Sequence, residues 1–188
     1  MIGSASPRAR YPEQRSPSMP ADTWSQLLVH SERLTALYTE LPPLEHLVLR
    51  SVHLSPYGPG VKLRVELPHF PDRAPMTWTE AGCDRFEVQI EFLAVGEDLR
   101  MRGAPDRTVI DVELSPLVQV HERRIRVAVH GAGFSLDFTA WAGLKAGHLN
   151  AYRSIDADPD IAQRWFESRV DQHLHRVLPP TTAKAFYE

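Results

Sequence analysis

Histidines, carboxylates and one thiol supply the reactive side chains of this sequence, and their spacing decides what chemistry is open to them. His173 and His175 stand two apart in a stretch of helical pattern, so they project to different faces, which argues against a metal ion held between them. His69 and Asp72, three apart in a proline-bearing loop, could orient one another as an acid or base pair. No nucleophile or second carboxylate is placed beside them by spacing. Cys83, followed by Asp84, could be a reactive thiol, although a lone small residue at a strand entrance is more often packed. Gly131-Ala132-Gly133 looks like the opening of a dinucleotide fingerprint, but that fingerprint needs a strand feeding a helix, and here a strand feeds a strand. No nucleophile elbow, Walker loop or His-Glu-x-x-His occurs. The residues therefore offer no catalytic constellation, no metal set and no cofactor motif. A pocket lined by His53, His69, His121 and Tyr152 would be needed for a small enzyme or ligand-binding protein of a specialised metabolic pathway.

The elements that must position these groups follow from periodicity. Asp22 or Thr23 can cap a helix carrying Trp24, Leu27, Leu28, Leu34, Leu37 and Tyr38, either as one helix or as two short ones broken near Ser31. Pro42 and Pro43 end it. Leu47 to Leu54 and the alternating Val61, Leu63, Val65 and Leu67 make a hairpin about a turn of Pro56, Gly58, Pro59 and Gly60. The stretch from Pro68 to Asp84 is long for a structureless connection, and such loops are often functional. Phe86, Val88, Ile90 and Phe92 alternate with polar residues, as do Ile110, Val112 and Leu114. Leu99 to Arg102 and Leu117 to Val120 read as further strands, and Arg124 to Val129 pairs with Phe134 to Phe138. Asp158 caps a last helix with Pro159 at its first position and a stripe of Ile161, Trp165, Val170, Leu174 and Val177, buried on the sheet or in a dimer contact, and Pro179 and Pro180 stop it.

The expected fold is thus α+β: a strand-rich antiparallel meander of about seven or eight strands, curled or sandwich-like, flanked by an N-terminal helix and a C-terminal amphipathic helix. Residues 1–20, with four prolines, several serines and almost no apolar side chains, are expected to be a disordered tail. Met19 is a candidate translation start. Residues 21–156 form the β-rich domain and 157–188 a helical extension packed on it. A length of 188 residues suits one domain, and 43% hydrophobic with 24% charged residues is ordinary globular composition. No apolar run is long enough for a membrane helix, and a net charge of −3 with scattered basic residues does not point to nucleic acid. With Cys83 alone no intrachain disulfide forms, which favours the cytosol.

A family resemblance rises above this background. It is carried by Trp24 through Tyr38, Leu41-Pro42-Pro43-Leu44, the hairpin from Ser51-Val52-His53-Leu54 to Gly58-Pro59-Gly60-Val61-Lys62-Leu63, Leu67-Pro68-His69-Phe70-Pro71, Pro75, Trp78, the run Phe86 to Leu93 and the closing Ala151-Tyr152-Arg153. In order and spacing these resemble the immunity protein 50 family of bacteria over roughly Trp24 to Tyr152. One departure is Ala104 after Gly103, where the family tends to place tryptophan. The resemblance implies a cytoplasmic antitoxin, monomeric or homodimeric, that binds a cognate protein toxin without catalysis, cofactor, nucleic acid or membrane. Many such toxins are basic nucleases. Glu87, Glu91, Asp111 and Glu113 would then make an acidic toxin-binding patch if their two strands are neighbours, and otherwise ordinary solvated strand faces.

Overall fold

In the computed structural model the described residues are 21–55, 58–105, 107–118, 122–156 and 160–180. The expected tail, Pro56 of the hairpin turn, His121 and the cap Asp158-Pro159 lie outside them. The fold is mostly β, not α+β. A 3₁₀ helix, Ala21–Leu27, leads into β1 (Leu28–Val29) and α1 (Glu32–Ala36). Then come β2 (Leu47–Leu54), β3 (Val61–Glu66), α2 (Met76–Glu80), β4 (Arg85–Phe92), β5 (Arg100–Arg102) and β6 (Val109–Leu117). The chain continues through β7 (Arg124–Gly131), β8 (Phe134–Trp141), β9 (Leu144–Tyr152), β10 (Trp165–Phe166) and α3 (Arg169–Leu174). No described helix is long and apolar enough to cross a membrane.

The expected meander of seven or eight strands gives way to one ten-stranded sheet that does not close on itself, ordered β1-β9-β4-β3-β2-β6-β7-β8-β5, with β10 also on β9. Pairing is antiparallel except for the parallel β1–β9 contact. Alternation predicts the half from β6 to β8 well: β6 reads exposed–buried from Val109 to Leu114, with Ile110, Val112 and Leu114 inward. In the other half, β3, β4 and β9 are buried on both faces. Phe92 meets Phe138 edge-on at 5.2 Å and Trp141 donates to the Leu93 carbonyl at 3.0 Å, so the chain after β4 is tied to β8.

Of the two terminal helices expected from the sequence, the first takes the broken alternative and the last is corrected. The first is two short helical pieces, and the break expected near Ser31 contains β1 and His30 at φ 58°. Trp24, Leu27, Leu34, Leu37 and Tyr38 are buried as the pattern requires. The C-terminal stripe does not form one helix: only Val170 and Leu174 of it lie on α3. Ile161, Val170, Leu174 and Val177 are exposed, Trp165 enters β10 with Phe166 on the edge of β9, and Ser168 caps a new six-residue helix by accepting from Asp171 N–H. Trp165 still packs against the core, from a strand.

The long loop is packed rather than open. Trp78 of α2 is 1% exposed and stacks between Phe70 and Phe86, at 6.5 and 5.9 Å, while Tyr38 meets Phe86 edge-on at 5.9 Å. Gly131-Ala132-Gly133 is the β7–β8 hairpin turn, with Gly133 at φ +72°. Gly103, at φ +80°, passes so close to this turn that a Cβ there would stand 1.9 Å from the Gly133 carbonyl oxygen, so only glycine lets β5 seat against β8.

Candidate functional site

Strands β2, β3, β4 and β9 turn their polar side chains to one face, and the segment from Asp160 to Phe166 covers it. Register places Glu66 directly opposite Glu87. Two carboxylates facing each other repel, and arginines from four segments resolve the conflict. Glu66 accepts from Arg50 at 2.7 Å, from Arg85 at 3.2 Å and from the Tyr152 hydroxyl at 2.6 Å. Glu87, with no exposure, lies 3.8 Å from Arg64 and 3.7 Å from Arg164. Arg64 also binds Asp160 at 2.7 Å. Arg164 donates to Asn150 Oδ1 at 2.9 Å and stacks 4.0 Å over the Tyr152 ring. Burial pushes the Glu87 carboxyl up, opposed by the charges of Arg164, Arg64 and Arg50, and burial pulls the Arg164 guanidinium down. The centre of this ion network, Glu66, Glu87, Arg64 and Arg164, is buried, with Arg164 laid across it, while Arg85 and Asp160 at its margins are half exposed.

The acidic residues singled out from the sequence do not form one patch. Glu87 belongs to the buried network and presents nothing to a partner. Glu91 is half-buried, 3.7 Å from Lys62 on β3 and opposite Lys145 on β9, so its charge is locally balanced. Strands β4 and β6 are not neighbours, because β3 and β2 lie between them. Asp111 and Glu113 do point to solvent together from β6. Asp111 also accepts from the His46 N–H at 2.7 Å.

Register then defines what surrounds that pair. One cross-strand row runs Arg102, Ser135, His130, Asp111, the next Arg100, Asp137, Ala128, Glu113, and a third holds Thr139, Arg126 and Ser115. All these residues share one face of β5–β8–β7–β6, since residues in register across a sheet point the same way. Arg100, Arg102, Arg126, His130, Asp111, Glu113 and, at the far end, Trp141 are exposed. Asp98, Arg100, Arg102, Arg126, Ser135 and Asp137 line a groove of about 490 Å³ on it. Both signs of charge share the face: Arg100 and Arg102 at the β5 edge and Arg126 on β7, with Asp137 between them on β8 and Asp111 and Glu113 on β6. Sequence reasoning missed the arginines because β5 is three residues long and nothing local says it lies beside β8. The alternation of Arg124 to Val129 did carry the signal that Arg126 faces out.

The acid and base candidates have structural employment. Asp72 accepts the Thr39 N–H with both oxygens, at 2.9 and 3.1 Å, and these bonds together with the Thr39 side chain hold its carboxyl below the usual range. The His69 carbonyl accepts the Tyr38 hydroxyl at 2.8 Å. Both contacts lock the long loop to the end of α1. Tyr152 is committed to Glu66 and Arg50, His53 lies on β2 and His69 in the loop. Among the described residues no contact gathers them into a pocket. Cys83 is buried, and burial pushes its thiol up to about 11. At neutral pH its thiolate fraction is about a hundredfold below that of an ordinary cysteine. Ellman's reagent should therefore label the native protein at pH 7.5 about a hundredfold more slowly than the urea-unfolded chain, with native labelling accelerating as pH approaches 11. Equal rates would show Cys83 to be an accessible thiol.

The open face of β5–β8–β7–β6 thus carries exposed charges of both signs beside the buried ionic network of the other half of the sheet. No curated protein and no solved structure matches the chain. The family model of immunity protein 50 matches residues 30–142, more than half of the sequence and the whole span from β2 to β8, and the chain belongs to the immunity protein 50 family.

Proposed function

We propose that this immunity protein acts in the cytoplasm by binding one cognate toxin of a polymorphic toxin system and holding it inactive, without turnover of its own, through the open face of β5–β8–β7–β6. Family membership supplies the immunity role. The observation that carries the surface is the exposure, on one continuous sheet face, of Arg100, Arg102, Arg126 and Trp141 beside Asp111 and Glu113. Arginine and tryptophan are the residue types that anchor interfaces, and opposite charges on one face fix a partner's orientation. The mostly apolar and buried remainder serves as a rigid support, so little ordering cost accompanies binding.

The test is co-expression with the toxin domain encoded next to this gene. Survival of the host, a co-eluting complex of fixed stoichiometry and unchanged toxin on its recovery from the complex are the expected results. Chemical modification or degradation of the toxin by the immunity protein would sink the non-catalytic reading.

A further inference from the structure

Along the outer edge of β9, β1 pairs with Leu144 and Lys145 while β10 pairs with Asn150 and Ala151, so the stretch between them is left without a strand partner on that side. Within it the chain bulges: Glu87 pairs with Asn150 but Gln89 with Gly147, which sets two residues of β9 against one of β4. His148 takes up the extra residue at φ 48°, and a bulge of this kind re-aims a side chain. His148 is 2% exposed and meets the two polar residues that α3 sends to the gap.

Those two are Asp171 on α3 and His175 at its C-cap. The His175 N–H donates to the Asp171 carbonyl at 2.8 Å, which holds the spacing. His148 Nδ1 and Asp171 Oδ1 are 3.1 Å apart, the two imidazole rings are 5.9 Å apart between centroids, and the ligand atoms of all three residues lie within 4.8 Å of one another. Asp171 is 1% exposed, yet its Oδ1 accepts no hydrogen bond among the described residues. A buried carboxylate oxygen without a hydrogen bond is costly unless a cation answers it.

We propose that His148, Asp171 and His175 form a binding site for a divalent first-row transition ion of the zinc type. Two imidazoles and one carboxylate are the donor set such ions take. Ligand bonds of about 2.0–2.2 Å set 90–109° apart put neighbouring donor atoms about 3.0–3.5 Å from each other, and the His148–Asp171 separation already has that value. His175 stands at the C-cap of α3 with extended backbone, and its ligand atom already lies within 4.8 Å of the other two. His148 and Asp171 border a cavity of about 20 Å³, room for one water as a remaining ligand. The cation that lines this cavity, Arg33, is paired with Glu167 at 3.8 Å, which limits its repulsion of a bound metal. The ion would clamp α3, and with it the segment that carries Arg164 over the ionic network, to the edge of β9.

The experiment uses the untagged full chain, stripped with EDTA and titrated with Co²⁺ followed by its visible d–d absorption, then with Zn²⁺ in competition. One equivalent of Co²⁺ displaced by Zn²⁺, and a melting temperature raised by Zn²⁺, are expected. His148→Gln and His175→Gln should each weaken binding by about a hundredfold or more, whereas His173→Gln, on an exposed neighbour, should not change it. His175 is only half-buried, so its variant carries the test if His148→Gln fails to fold. Absence of d–d bands in the folded wild-type chain overturns the site. So does metal binding that survives His175→Gln or is lost in His173→Gln.

Discussion

Glu87→Lys is expected to abolish stable folding, while Asp111→Lys and Glu113→Lys leave the melting temperature within a few degrees of the parent. Removing one partner of a buried ion pair costs about 3–5 kcal/mol, because the remaining charge is left without compensation. At Glu87 the remaining charges are Arg64 and Arg164, with Arg50 nearby, and lysine adds a further cation among them. A domain of this size has a total stability of about 5–15 kcal/mol, so the loss removes a large share of it or all. Glu87→Gln keeps the shape and some hydrogen bonding, and should sit between the two. Urea titration followed by circular dichroism reads the difference directly. Glu87→Lys unfolding at the same denaturant concentration as the parent would mean that water reaches the centre of the network and that Arg164 does not cover it.

The case of Glu87 shows where the sequence was legible and where it was not. The alternation of Phe86, Val88, Ile90 and Phe92 with polar residues correctly marked β4 and its apolar face. What alternation cannot say is whether the polar face meets water. On β6 it does, and the expected outward residues Asp111 and Glu113 are outward. On β4 it does not, because a segment some seventy residues later lays Arg164 across it, and no local pattern reports a contact of that range. Strand β9 was missed for a related reason. Its sequence, Leu-Lys-Ala-Gly-His-Leu-Asn-Ala-Tyr, is buried on both faces and carries a bulge, so it has neither the period of two nor an unbroken apolar run.

The C-terminal segment failed in the opposite direction, where a pattern was present and misleading. Ile161, Trp165, Val170, Leu174 and Val177 fall at spacings a helix allows, yet the residues buried there are Ala162, Arg164, Phe166, Ser168 and Asp171. Four of the five stripe residues are exposed, and the buried set is mostly polar, with Arg164 and Asp171 held by partners on β9 and β4. The candidate metal cluster was hidden the same way. The sequence argument weighed His175 only against His173, its neighbour two residues away, whereas the histidine beside it in the structure comes from a strand that periodicity did not reveal.

For the interaction face, the expected result is a split between two sets of charge reversals measured against the cognate toxin. Asp111→Lys with Glu113→Lys should slow association by about tenfold or more at low salt and change dissociation little, because exposed charges act mainly by steering the encounter. That effect should fade as ionic strength rises and the screening length falls to about 8 Å. Arg100, Arg102 and Arg126 line the groove, where a partner would desolvate them, so Arg100→Glu with Arg126→Glu should raise the dissociation rate and cost about 2–4 kcal/mol of affinity at any salt. Neither set should alter folding, since these side chains are exposed and join no buried network. Lys62→Glu with Glu91→Lys, which exchanges a balanced pair on the other half of the sheet, is the control and should leave both rates unchanged. Surface plasmon resonance with the toxin immobilised separates the two rate constants. If both reversals bind the toxin as the parent does, the open face is not the contact, and protection must come from another surface of the same fold.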